Sequence, residues 1–364
     1  MQAASSEVAS DVPADMLAAV YRGDSVVAVE RIAVPEIGPG ELLLRVEACG
    51  VCHTDLKKVE YNLLPPPRVF GHETAGTVVA VGAGVQKFRV GDRVISFHHI
   101  PCSHCFYCER GLYAQCKVYK RVGVTAGFEP AGGGFAQYVR VMDWIVERGV
   151  ERIPDGVSFE VASFVEPVNT CLKAVEQLAP ASGDVIVVMG QGPIGLIFTM
   201  LLAQRGVRVI ATDTMLRRLK LSEQSGAEIA LDPLVSDVAK TAAVLTDGRG
   251  ADAVILATAV EGLVEQAVDC SRPGAKILLF AQTSSKERIE LSGASICVGE
   301  RILFGSYSAS VDVQKQSADL VFGGKLPLDL LISHRMPLAR IHDAFQLATK
   351  PTAESLKIVV TPHA

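Results

Sequence analysis

Two rhythms of apolar and polar positions divide the chain. In the first part the apolar residues come in short runs bounded by glycine, proline and acidic turns: Met16 to Tyr21, Val26 to Arg31, Leu42 to Ala48, Val78 to Val81 and Arg93 to Ser96. Short strands at this spacing predict a β-rich domain, a partly closed barrel. After about Pro154 the rhythm changes to long helix, strand, helix. Phe159 to Leu178 and Met215 to Ser225 read as helices, and Val185 to Met189, Arg208 to Thr212, Ile229 to Leu231, Ala253 to Ala257 and Lys276 to Phe280 as strands. Val185 to Met189 is an unbroken apolar, β-branched run, suited to burial on both faces of a parallel sheet. The alternation predicts a doubly wound sheet, so the fold class is α/β. Val313 to Thr349 carries two more helical segments, and Leu356 to Thr361 is a strand able to return to the first domain. Residues 1 to 14, rich in alanine, serine and acids, read as a flexible tail.

Composition narrows the function classes. The 364 residues suit about two or three domains. A net charge of −5 gives no electrostatic reason to bind nucleic acid or an anionic membrane. Residues 185 to 203 contain no charge, but Gly190-Gln-Gly-Pro193 would break a helix in mid-membrane. The N-terminus lacks the basic start and apolar run of an export signal, so a cytoplasmic protein is expected. Nine cysteines, an odd number, then point to thiols or metal ligands rather than a disulfide framework.

The strand at Val185 runs into Gly190-Gln-Gly192-Pro193-Ile194-Gly195, then a helix, then a second strand ending in Asp213, 23 positions after Gly190. One glycine makes the turn, one admits the backbone to a pyrophosphate, and one lets helix pack on strand, while the helix N-terminus faces the anion. Asp213 stands where a carboxylate holds the adenosine ribose, which favours NAD over NADP; Arg217 and Arg218 are close enough to weaken that preference. A glycine turn that binds nothing is the competing reading.

Two constellations suit metal. Cys102, Cys105, Cys108 and Cys116 lie in one short polar segment. Four thiolates form a closed tetrahedral shell for a structural Zn(II). The second set is dispersed: Cys52, His72, Glu73 and, much later, Glu166. A catalytic zinc needs about three protein ligands and one open position, and spacing alone does not bring these four together. The competing readings are a buried cysteine with a surface His-Glu pair, or a redox pair of Cys49 and Cys52, for which no following helix is evident.

Gly71-His72-Glu73-x2-Gly76-x5-Gly82-x2-Val85, Gly91-Asp92-Arg93-Val94, the four-cysteine lobe and the glycine turn occur in the order found in the zinc-containing medium-chain alcohol dehydrogenases, which the chain resembles over nearly its whole length. The resemblance implies a GroES-like catalytic domain at 15 to 167 and 307 to 364, with the structural zinc lobe at 100 to 118, and a Rossmann cofactor domain at 168 to 306. It implies two Zn(II) and NAD, with a small alcohol or polyol as the partner. Cys52 and His72 become catalytic zinc ligands and Glu73 a ligand or its close neighbour. Glu166 stands where simple alcohol dehydrogenases carry cysteine, as in the sorbitol and threonine dehydrogenase branch; Cys171 is a minor alternative. Thr54 takes the substrate proton, and Lys57 replaces the histidine that passes it on elsewhere in the family. Asp55 is expected to pair with Lys357. Ala281 to Thr283 and Gly305 to Ser308, with Ser306 among them, match segments lining the nicotinamide pocket. A homo-oligomer follows, a tetramer as in the polyol branch or a dimer.

Overall fold

The computed structural model describes residues 7–9, 11–118, 132–281 and 288–364. Thr283 and the stretch from Tyr119 to Val122 lie outside them. The chain forms two compact units, Met1–Asn169 with Ala309–Ala364, and Thr170–Ser308.

In the first unit the apolar runs pair into a mixed sheet. Its hydrogen-bonded path runs Ile332–Pro337, Lys357–Thr361, Leu42–Gly50, Glu73–Val81, Arg93–Ser96 and Val150–Arg152, with Tyr138–Val141 added on Leu42–Gly50. A separate sheet joins Val26–Ala33, Asp15–Gly23 and Arg68–Val69. Ala19 donates to Phe135 O at 2.8 Å and Gln137 to Leu17 O at 3.0 Å, so the second sheet is tied to the segment entering Tyr138–Val141, in keeping with the expected β-rich, partly closed architecture. Residues 7 to 9 were expected to belong to a flexible tail and instead join the sheet. Glu7–Val8 pairs antiparallel with Val81 and Ala80, and Ala9 donates to Val79 O at 2.8 Å, because the long Glu73–Val81 strand leaves ladder groups there to satisfy. The C-terminal strand Lys357–Thr361 returns to this unit and pairs with Cys49 and Gly50.

The second unit is a six-stranded, fully parallel sheet among the described residues. Its order is Ile229–Leu231, Arg208–Thr212, Val185–Met189, Ala251–Leu256, Ser271–Leu279 and Ile302–Gly305. Val185, Val187 and Met189 pack with Ile210, Val254, Leu256 and Ile277 in the core on one face. The charge-free stretch from 185 to 203 resolves into a strand and the 11-residue helix Pro193–Ala203, and no described helix is long and apolar enough to cross a membrane.

Candidate active site and metal centres

Strand Leu42–Gly50 leads directly to Cys52, which caps the N-terminus of helix His53–Glu60. A helix therefore does follow the Cys49/Cys52 pair. Cys49, however, is fully buried, with Sγ 3.8 Å from both Gly50 O and Thr74 Oγ1, and burial pushes its thiol well above the usual range. That environment disfavours the thiolate a redox pair needs.

Across the sheet, Glu73 opens its strand opposite Gly50. A Cβ at Gly50 would lie 1.9 Å from Glu73 Oε2, so only glycine lets that carboxylate lie over the neighbouring strand. The donor atoms of Cys52, His72 and Glu73 all fall within 4.8 Å of one another. Thiolate, imidazole and carboxylate at that separation form a competent three-ligand set for Zn(II).

The outer contacts fix these ligands. His72 Nδ1 lies 3.0 Å from Asp55 Oδ1, which leaves Nε2 for a metal. Lys357 pairs with Glu73 and donates to Val51 O at 3.1 Å. The expected Asp55–Lys357 pair is thus replaced by two others, because the imidazole reaches Asp55 first and the ammonium meets the carboxylate opposite Gly50. Lys357 and Asp55 still tie both ends of this unit to the same centre.

Glu166 stands outside the three-donor group. It sits in the first turn of helix Val165–Leu178, and its Oε1 is 3.4 Å from His99 Nε2. Burial pushes its carboxyl up to about 7. Cys171 lies in the other unit, with Sγ 3.9 Å from Ile194 O, and belongs to no metal group among the described residues. Thr54 is half-buried in the first turn after Cys52. His98 was not foreseen. It is completely buried, its ring centroid is 6.0 Å from that of His72, and neither ring nitrogen has a hydrogen-bond partner among the described residues. The signal was present as His98-His99 directly after strand Arg93–Ser96 and ahead of the cysteine lobe.

Cys102, Cys105, Cys108 and Cys116 converge in the same way. The Cys102–Cys108 and Cys105–Cys108 sulfur separations are 3.9 and 3.5 Å, close to the ~3.8 Å edge of a tetrahedron with metal–sulfur bonds of about 2.3 Å. Burial, then the Cys105 thiol, pushes Cys108 up to about 12. The lobe's apolar cluster is little more than these cysteines and Tyr113, so the four sulfurs fit a metal ion that would serve as its core.

In the second unit the turn after Val185–Met189 fits a dinucleotide. Gly190 has φ +90°, and a Cβ at Gly195 would lie 1.8 Å from Gly190 O; the fold itself requires both. At Gly192 a Cβ would meet nothing nearer than Arg218 Nη1 at 4.0 Å, so packing does not demand glycine there and the open face suits a phosphate. Pro193 and Ile194 begin the helix behind it. Asp213 Oδ2 accepts from Gln191 N at 2.7 Å and Oδ1 from Met215 N at 2.9 Å, which fixes the carboxylate beside the turn; Arg218 Nη1 is 3.6 Å from Oδ2. Ser306 Oγ is buried without a hydrogen-bond partner among the described residues, as a polar atom awaiting an amide would be. Ala281 donates to Leu256 O at 3.1 Å at the end of the same sheet.

Residues 38–155 match the alcohol dehydrogenase GroES-like domain family and residues 193–322 the zinc-binding dehydrogenase family. The chain is 31% identical to the L-threonine 3-dehydrogenase of Pyrococcus abyssi, over 87% of this chain and 90% of that one. It is 30% identical to the erythritol/L-threitol dehydrogenase of Mycolicibacterium smegmatis, over 98% and 100%. Among solved structures, a zinc-binding dehydrogenase from Sinorhizobium meliloti 1021 bound to NADP superposes with a TM-score of 0.87 at 28% identity, over 96% and 100%.

Proposed function

The chain belongs to the zinc-containing medium-chain alcohol dehydrogenases, and from that premise we propose that it oxidises a secondary hydroxyl of a polyol with NAD. The reaction class, oxidoreduction of alcohols with zinc and a nicotinamide nucleotide, is that of the family. The observation that carries the assignment to this site is the Cys52, His72 and Glu73 donor group with Asp55 behind the imidazole.

Bound there, Zn(II) supplies Lewis acidity that lowers the pKa of a substrate hydroxyl. Thr54 receives the hydroxyl proton. Asp55 holds His72 in the tautomer that presents Nε2, and Lys357 balances the buried charge of Glu73. Glu166 pairs with His99 and lies outside the three-donor group, and a carboxylate that need not bind the zinc suits a substrate with two adjacent oxygens. That geometry favours vicinal diols over monoalcohols, in keeping with the erythritol/threitol relative; threonine, an amino alcohol, is the runner-up. Gly190, Gly192 and Gly195 would hold the pyrophosphate, Asp213 the ribose hydroxyls, and Ala281 and Ser306 the nicotinamide, which would supply the hydride acceptor. NADP is the second cofactor reading, favoured by Arg218 beside Asp213 and by the NADP bound to the Sinorhizobium relative. The resemblance further supports one zinc in each site and a homo-oligomer, a tetramer or a dimer.

The test is kcat/KM for 2,3-butanediol against 2-butanol, with each nucleotide. A diol preference of about tenfold or more, corresponding to about 1.4 kcal/mol, and higher efficiency with NAD are expected. A preference for the monoalcohol removes the polyol assignment, and a preference for NADP removes the role given to Asp213.

A further inference from the structure

Beside Glu166, inside the first unit, lies a small cavity of about 10 Å³. Its polar lining is Thr74, Ser96, Ser163 and Glu166, and the remaining walls, Phe97 and Val165 among them, are apolar. Different elements bring these groups together. Ser96 ends strand Arg93–Ser96, Thr74 lies in the neighbouring strand Glu73–Val81, and Glu166 sits in the first turn of helix Val165–Leu178. A cavity of this size holds a single water when about two to four polar groups face it.

The three hydroxyls differ in what already occupies them. Ser163 Oγ donates to Glu160 O at 2.7 Å, and Thr74 Oγ1 lies 3.8 Å from Cys49 Sγ. Ser96 Oγ is buried and has no hydrogen-bond partner among the described residues. A buried hydroxyl without a partner is costly, and an alanine would end this strand without that cost. A water in the cavity satisfies Ser96 with one bond and donates another to the carboxylate across from it. Glu166 is suited to receive that bond. Its Oε1 lies 3.4 Å from His99 Nε2, and a carboxylate offers about four acceptor positions in all.

We propose that this cavity is a single-water site, and that Ser96 is a positioning residue that anchors the Glu166 carboxylate through that water, outside the group formed by Cys52, His72 and Glu73. The proposal rests on the alcohol dehydrogenase reading and deepens it, by naming what keeps Glu166 in this position. A water bridge is nearly as strong as a direct hydrogen bond. Anchored by it and by His99, the carboxylate leaves one metal position to the second oxygen of a diol. Without the anchor, Glu166 competes for that position, and the advantage of a diol over a monoalcohol falls.

Crystallography of the zinc-replete enzyme tests the site, and Ser96→Ala tests its role. Wild type is expected to show one ordered water within hydrogen-bonding distance of both Ser96 Oγ and a carboxylate oxygen of Glu166. In Ser96→Ala the carboxylate is expected to turn toward Cys52 and His72, and the visible spectrum of the cobalt-substituted enzyme to change with it. The ratio of kcat/KM for 2,3-butanediol to that for 2-butanol should fall about tenfold. A dry cavity in wild type overturns the proposal, as does a water that touches only one of the two groups. An unchanged ratio or an unchanged cobalt spectrum in Ser96→Ala also overturns it and makes Ser96 a packing residue. Failure of wild type to oxidise any alcohol would instead defeat the dehydrogenase reading beneath it, and the crystallographic water would still decide whether Ser96 anchors Glu166.

Discussion

His72 shows how much of the centre depends on one contact. Its Nδ1 is held at 3.0 Å by an aspartate with no exposed surface. Losing the charge of such a partner lowers metal affinity or activity by about tenfold to a hundredfold. Asp55→Asn should therefore weaken the catalytic zinc by that factor in a chelator competition, while the cysteine-lobe zinc stays at wild-type affinity. Equal weakening at both sites would contradict the account. At this scale His72 and Glu73 were readable as candidate ligands because they share one contiguous signature, and Cys52, 20 positions earlier, through the family resemblance. The partner of Asp55 was misread: two carboxylates, a lysine and an imidazole compete in one buried space, and only the Gly50 opening determines that Lys357 meets Glu73. The pairing of Glu166 with His99 was hidden for the same reason, since it joins residues 67 positions apart with no shared motif.

Elements were legible where burial is one-sided or complete. Val185–Met189, Arg208–Thr212 and Ile229–Leu231 form where their apolar runs predict them. The helix expected from Phe159 to Leu178 is broken, with Phe159–Ala162 and Val165–Leu178 as separate pieces. Pro167 explains the break: proline is tolerated in the first turn of a helix but not in its interior, so a new helix starts just before it and carries Glu166 in that turn. The strand Ile332–Pro337 was not anticipated, because its Ser333, His334 and Arg335 interrupt the apolar pattern and only Met336 is buried. The cysteine lobe has almost no apolar core apart from its four cysteines, so on the proposed reading its order depends on an ion. Cys105→Ser should accelerate amide exchange across Cys102 to Cys116 by about a hundredfold or more, equivalent to about 2.7 kcal/mol of local stability. The catalytic zinc should remain. Unchanged protection of the lobe would show that something other than the ion holds it.

For the whole molecule, the change of hydrophobic rhythm marks two architectures, a mixed β unit and a parallel α/β unit, and the C-terminal strand rejoins the first. Lys357 on that strand pairs with Glu73 in the candidate donor group that Cys52 begins, some 300 residues earlier in the chain. The account requires one ion held by four thiolates and a second held by an open mixed set. Native mass spectrometry of the zinc-replete protein and of Cys52→Ser measures this directly. Two zinc ions per chain are expected in wild type, and one in the variant with loss of NADH formation. A single zinc in wild type, or a variant that keeps both ions and its activity, would contradict the assignment of the catalytic centre.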